Sequence, residues 1–249
     1  MFGLIDKLYA SRKLRKGYVE PELNWGPEIV HHNGKEISWF CFVPRSVSEM
    51  PLLRKGIIPK DGDVFVYTVS SLNLIKPSPE ETAGGLQKIY DDAIERMNAS
   101  SAKGHTLKIL GVSLGNVLSI RAAGSINSRI EQPVSIVGGR NPGLSAWDSI
   151  LTGHISKQSE RYGCSSPEEY EKRLSIFSPI NYIDGIMADK ISIRLGTRDL
   201  MIPFKQGREL ACALIERGKK TRAKIDYKAY WGAGHTATIF FSALHKVSN

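Results

Sequence analysis

Cysteine is scarce. Cys41, Cys164 and Cys212 are the only three in 249 residues, widely spaced and never in a Cys-x-x-Cys pair. An odd, dispersed set excludes a disulfide framework and a cysteine zinc site. Cys41 and Cys212 stand among apolar neighbours and are expected to be buried thiols. Long apolar runs are also missing, and none approaches the roughly 20 residues of a membrane-spanning helix. No stretch has the composition of a linker, and no segment repeats. The N-terminus lacks a signal-peptide pattern, because Asp6 and Lys7 interrupt its apolar stretch and the positive charge follows it. A cytoplasmic location is expected. The glycines of Ala83-Gly84-Gly85 and Val137-Gly138-Gly139 do not make G-x-G-x-x-G, so no cofactor is expected. His235 has no spaced His, Cys or Glu partner of the kind a zinc site needs, so no metal is expected either.

Acidic residues are in the minority, 25 against 34 Lys and Arg, for a net charge of +9. The excess is scattered except at Ser11–Gly17 and Arg217–Lys224. Without a nucleic-acid motif, a basic soluble surface is the plainer reading, and no nucleic-acid partner is expected. Phe2, Leu4, Ile5, Leu8 and Tyr9 could form one face of a short helix. Docking on the protein's own body suits that helix better than weak contact with a membrane surface.

What is present is an alternation of strand and helix signals. Near-continuous apolar runs at 37–43, 63–69, 107–112, 134–139 and 191–196 read as parallel strands covered on both faces. The run at 224–231 alternates more and suits an edge. Asn33-Gly34 signals a hairpin, and hence an antiparallel pair at the start of the sheet. Ser-Pro-Glu-Glu at 78–81 and again at 166–169 is a helix-starting capping box. Leu86, Ile89, Tyr90, Ala93, Ile94 and Met97 then repeat at helical spacing, although Gly84-Gly85 weakens the first turns. Further helices are expected after Asn116, from Phe204 to Arg217, and around Phe240, Phe241 and Leu244. The fold class is α/β: one domain over 1–249 with a mostly parallel central sheet flanked by helices.

In such sheets the functional site lies at the carboxyl ends of the strands. Three strand ends carry chemistry there. Ser113 lies in Gly111-Val112-Ser113-Leu114-Gly115, where a buried strand turns sharply into a helix and needs small neighbours. Asp199 follows the strand ending near Leu195, in "GTRDLMIP". His235 follows the last strand, in "GAGH". Each residue has a plainer role open to it. Ser113 could be only a turn residue and Asp199 a helix cap. Asp184 or Asp189 could be the acid, and His31, His32, His105, His154 and His245 are rival bases.

Taken together and in this order, the three motifs resemble the α/β-hydrolase superfamily from about Ile37 to the C-terminus. The resemblance implies Ser113 as nucleophile, His235 as general base and then acid, and Asp199 as the group orienting His235. It also implies an oxyanion hole with the Leu114 backbone N–H as one donor. The second donor should come from "FVPRS" at 42–46, where many members have His-Gly. Pro44 has no N–H, which leaves Arg45, then Ser46, with Ser70 and Ser71 as fallbacks. Residues 142–179 are expected to insert a small helical cap. Trp147, Ile150, Leu151 and Ile155 would either line a pocket or pack that cap on the body. Arg140 would meet a substrate carboxylate or form an internal salt bridge.

Two functions remain open. One is a serine hydrolase that cleaves a carboxylic ester through an acyl-enzyme intermediate, with a small-molecule ester or acyl substrate; thioesterase, lipase and peptidase chemistry are neighbouring possibilities. The other is a non-catalytic protein of the same fold that binds a ligand or partner.

Overall fold

The computed structural model describes residues 2–13, 24–32 and 35–245. Its elements are α1 (Phe2–Lys13), β1 (Glu28–His32), β2 (Ile37–Val43), α2 (Arg45–Glu49), α3 (Pro51–Ile57), β3 (Gly62–Thr68), α4 (Ser71–Leu74) and α5 (Pro79–Ala102). They continue with β4 (Thr106–Val112), α6 (Gly115–Ser125), β5 (Ile130–Ile136), α7 (Pro142–Asp148), α8 (Gly153–Ser156) and α9 (Pro167–Leu174). The last four are β6 (Lys190–Gly196), α10 (Phe204–Thr221), β7 (Lys224–Tyr230) and α11 (His235–Leu244).

The strands form one sheet of order β1-β3-β2-β4-β5-β6-β7. Among the described strands only β1 runs antiparallel, and its partner is β3. The expected antiparallel opening is therefore present, but β1 does not pair with β2. Asn33-Gly34 itself lies outside the described residues. The edge position expected for β7 is observed.

The apolar runs form strands because both faces of the sheet are covered. In β2, Trp39, Cys41 and Val43 pack with residues of α2, α3 and α11. Phe40 and Phe42 point the other way, into the layer of α5, α6 and α10. Both serines cap their helices: the Ser78 and Ser166 hydroxyls accept from the Glu81 and Glu169 N–H groups, each at 3.2 Å, and the Glu169 carboxylate turns back to the Ser165 N–H at 2.6 Å. α5 runs unbroken through Gly84-Gly85.

Three expectations need correction. β5 starts and ends earlier than 134–139, because Val137 leaves the extended region with φ at 47°. Cys212 is exposed on α10, whereas Cys41 and Cys164 are buried. In α1 the buried side chains include Asp6 and Ala10, one helical turn apart, while Ile5 and Leu8 face outward.

The strand order also locates the site. From β2 the chain moves one way to β3, then returns to the other side of β2 for β4 and continues outward to β7. The connections leaving β2 and β4 therefore diverge and open a crevice at their carboxyl ends. α6 comes very close to β2 at this point, and a Cβ on Gly115 would stand 2.0 Å from the Phe42 carbonyl oxygen. Gly115→Ala is expected to cost about 1–3 kcal/mol through overpacking. Thermal unfolding should show a transition several degrees lower; an unchanged transition would mean that α6 and β2 can separate freely.

Candidate active site

β4 runs straight into the crevice and stops at Ser113. This residue has φ at 56°, a left-handed conformation unusual for a side-chain-bearing residue. The turn is held from several sides. The Ser113 N–H donates to the Ile136 carbonyl at 3.0 Å. The buried Asn116 amide nitrogen donates to the Ser113 carbonyl at 3.1 Å and the Ile136 carbonyl at 2.9 Å. Gly111 is needed because a Cβ there would meet the Ser119 hydroxyl at 2.1 Å.

His235 is the first residue of α11. Its Nε2 lies 2.8 Å from the Ser113 Oγ and its Nδ1 lies 2.7 Å from the Asp199 Oδ2. A carboxylate can only accept, so Nδ1 carries the proton and Nε2 is free to accept from the Ser113 hydroxyl. Asp199 is fixed in turn. Its other oxygen accepts from the backbone N–H groups of Met201 at 2.9 Å and Ile202 at 2.8 Å. Those bonds cap the local turn rather than the helix starting at Phe204. Asp199 and His235 are both buried.

The rival groups lie elsewhere. Asp184 and Asp189 are exposed before β6, and Asp189 is ion-paired with Arg129. The His105 Nδ1 is 2.9 Å from the Ser38 hydroxyl, and His154 is exposed. The His245 Nε2 is 3.2 Å from the Lys228 ammonium. His31 and His32 lie in β1, at the edge strand.

Two recesses meet at Ser113. A wide one of about 330 Å³ is lined by Pro44, Arg45, Ser46, Ser70 and Ser71, by α3 residues Leu52 and Leu53, and by His235, Ile239 and Phe240 of α11. Arg12 and Lys13 of α1 complete it. A narrow one of about 50 Å³ is lined by Leu114, Val117, Pro142, Ser145, Ala146 and Ser149. Leu151 and Met201 border both. Leu114 stands at the start of α6, where first-turn N–H groups point out of the helix. Arg45 is the first amide after Pro44. Both fallback serines also line this cleft, and the Ser70 hydroxyl is buried without a hydrogen-bond partner among the described residues.

Arg140 and Trp147 are not among the residues lining either recess. The Arg140 guanidinium pairs with Glu209 at 3.3 Å. Trp147 packs edge-on against Tyr170, tying α7 to α9. Glu171 reinforces that tie by accepting from the Gly143 N–H at 2.6 Å and the Asn141 amide at 3.0 Å.

Two site contacts have no sequence signature in the strand-end motifs. One is the Asn116 clamp. The other is Asp6, whose carboxylate accepts from the backbone N–H of His235 at 2.7 Å and of Thr236 at 3.0 Å. The only trace of it is an acidic residue breaking the apolar pattern of the N-terminal helix.

No protein-family model matches the chain, and no curated protein matches it either. Solved structures do. A puromycin-hydrolyzing peptidase of Mycobacterium tuberculosis is 14% identical with a TM-score of 0.54, covering 86% of this chain and 33% of its own. The acylaminoacyl peptidase of Pyrococcus horikoshii is 14% identical with a TM-score of 0.56, covering 95% and 41%. Carboxyl esterase 2 of the mycorrhizal fungus Tuber melanosporum is 13% identical with a TM-score of 0.57, covering 98% of each chain. This chain thus spans under half the length of the two peptidases and nearly all of the esterase.

Burial works to lower the basicity of His235, but Asp199, by charge and hydrogen bond, and Asp6, by charge, outweigh it. The net shift is upward from the ordinary 6.5. The folded state therefore holds this proton more tightly than the unfolded chain. That contribution to stability is complete below the ordinary value and is lost as pH rises through the raised one. Only the neutral imidazole can take the Ser113 proton. Labelling of Ser113 by a fluorophosphonate should rise with pH through a midpoint above 6.5. A midpoint below that value would mean that burial, not Asp199, dominates.

Proposed function

We propose that this chain, which has the α/β-hydrolase fold, is a serine hydrolase that cleaves carboxylic esters through an acyl-enzyme. One observation carries the reading: the unbroken line from Ser113 through His235 to Asp199, with both links under 3 Å, at the junction of two recesses. The named neighbours, two peptidases and an esterase, agree with hydrolysis at an acyl carbon in this fold.

The steps follow from the geometry. His235 Nε2 takes the Ser113 proton as Oγ bonds to the substrate carbonyl carbon, and the carbonyl oxygen becomes an oxyanion. The Leu114 N–H and the N–H of Arg45, the first residue of α2, are the donors for that charge in this reading. The oxyanion collapses and the bond to the alcohol oxygen breaks. The alcohol leaves with the proton from Nε2. Water then repeats the sequence on the acyl-serine, giving its proton to His235 and releasing the acid and a restored Ser113 hydroxyl. Asp199 remains ionised and stabilises the imidazolium between transfers.

Residues 142–179 act in this reading as a small cap, since Pro142, Ser145, Ala146 and Ser149 wall the narrow recess. The unequal recesses suit an ester with one short limb and one larger apolar limb. Trp147 holds the cap together through Tyr170, and Arg140 is tied to α10 through Glu209, so neither meets the substrate in this reading.

Ser113→Ala is expected to lower kcat/KM on a p-nitrophenyl ester by on the order of 10⁴ with an unchanged melting transition. Retention of turnover would remove Ser113 as nucleophile. A folded wild type that neither labels with fluorophosphonate nor turns over a panel of esters would favour a binding protein.

The choice of acid has its own test. Asp199→Asn removes the charge and disturbs the tautomer, so kcat should fall by orders of magnitude. Asp184→Asn and Asp189→Asn should stay near wild type, because both are exposed at the other end of β6. A dead Asp184 or Asp189 variant beside an active Asp199 variant would reverse the assignment.

A further inference from the structure

α11 begins with the histidine on which the chemistry depends, yet it has no cap of its own. Gly234 occupies the N-cap position and offers no side chain. The acceptor comes instead from Asp6, more than two hundred residues earlier in the chain. Its Oδ2 accepts from the His235 N–H at 2.7 Å and its Oδ1 from the Thr236 N–H at 3.0 Å. The carboxylate is completely buried. A second observation points the same way. Gly234 has an ordinary φ of −85°, so its backbone does not call for glycine. The missing side chain makes room for Asp6, because a Cβ on Gly234 would stand 2.4 Å from the Asp6 Oδ2.

We propose that Asp6 is a positioning residue for His235: the N-terminal helix docks on α11 through this carboxylate, holds the histidine backbone in register with Ser113 and Asp199, and supplies a second negative charge to the imidazolium. A carboxylate at a helix N-terminus is favoured by the partial positive charge of the unpaired amides. Here those amides include the one belonging to the catalytic histidine, so a shift of Asp6 would shift the imidazole. The inference rests on the Ser113–His235–Asp199 reading.

Other charges around α11 are engaged or distant from this contact. On α3, Arg54 is paired with Glu28 and Lys55 is exposed. On β6, Arg194 and Lys190 are paired with Asp226. On β5, Glu131 meets Lys108. Arg12, Lys13 and Arg45 line the wide recess. Asp199 and Asp6 are the carboxylates in contact with His235 itself.

The test uses full-length variants. Asp6→Asn and Asp6→Ala are compared with Asp6→Ala combined with Gly234→Asp, which returns a carboxylate to the same helix end from the N-cap position. Asp6→Ala with Gly234→Ser returns a neutral cap. The first readout is NMR titration of the His235 imidazole in a Ser113→Ala background, which needs no substrate. The second is kcat and KM on p-nitrophenyl butyrate with Ser113 intact. Asp6→Ala should lower the titration midpoint and reduce kcat about tenfold with KM little changed. Gly234→Asp should restore both, while Gly234→Ser should restore thermal stability but leave the midpoint low.

A folded Asp6→Asn or Asp6→Ala protein with the wild-type midpoint and kcat would overturn the proposal. So would a neutral cap that restores the midpoint as fully as the carboxylate does. Failure of every variant to fold, the Gly234→Asp combination included, would make Asp6 a folding residue only and would also overturn it. The two readings fail separately. Turnover that survives Ser113→Ala removes the hydrolase, whereas an unshifted His235 titration removes the role of Asp6.

Discussion

The left-handed backbone at Ser113 is the constraint on which the rest depends. A side-chain-bearing residue at φ 56° persists only where its surroundings leave no alternative. Three close approaches enforce it. Gly111 lets Ser119 of α6 come down on β4, Gly115 lets α6 lie on β2, and Asn116 bonds the carbonyls of Ser113 and Ile136 together. Each approach ties the turn to a different neighbour, so the strain is shared by β2, β4, β5 and α6. Val137, at the end of the adjacent strand, is also left-handed with φ at 47° and is held by its N–H bond to the Arg194 carbonyl. The carboxyl ends of β4 and β5 are therefore both sharply turned, which aims Ser113 into the crevice instead of along the sheet.

The parts legible in the sequence were those whose cause is local. Apolar runs revealed the buried strands because helices cover both faces. Two Ser-Pro-Glu-Glu boxes revealed helix starts because the capping bond spans three residues. Ser113, Asp199 and His235 could be grouped from the sequence because each follows its own strand, and a parallel sheet brings those strand ends together. What was not legible depends on distant parts of the chain. Nothing near 28–32 says that this strand adds to β3 on the side away from β2. Cys212 has apolar neighbours in sequence, but α10 turns its other side to the sheet. Arg140 follows β5 in the segment leading to α7, yet its partner Glu209 lies on α10. Asp6 and His235 come together only in the folded molecule.

The histidine therefore sits between two carboxylates of different origin. Asp199 comes from the loop after β6 and touches the ring, while Asp6 comes from α1 and touches the backbone. In the proposed reading their tasks separate accordingly: one selects the tautomer and the other sets where the ring stands. Two acids close to one base would repel each other without compensation. Each has its own amides to satisfy it, Met201 and Ile202 for Asp199, His235 and Thr236 for Asp6. Donated N–H groups satisfy a buried carboxylate, so each acid has its own partners within the same buried region.

That arrangement has a kinetic consequence. A stronger base takes the serine proton more readily, but it is neutral over a narrower range of pH. Burial of the imidazole opposes the two carboxylates and limits how far basicity rises. The balance is therefore sensitive to anything that loosens α1, since water entering there would weaken the Asp6 field and relieve the desolvation together. These effects act in opposite directions on the imidazole, so opening the N-terminal helix changes its position more surely than its charge. On the proposed role of Asp6, positional control of His235 by α1 is thus the more robust of the two couplings, because the bonds from the His235 and Thr236 amides fix the backbone on which the ring stands.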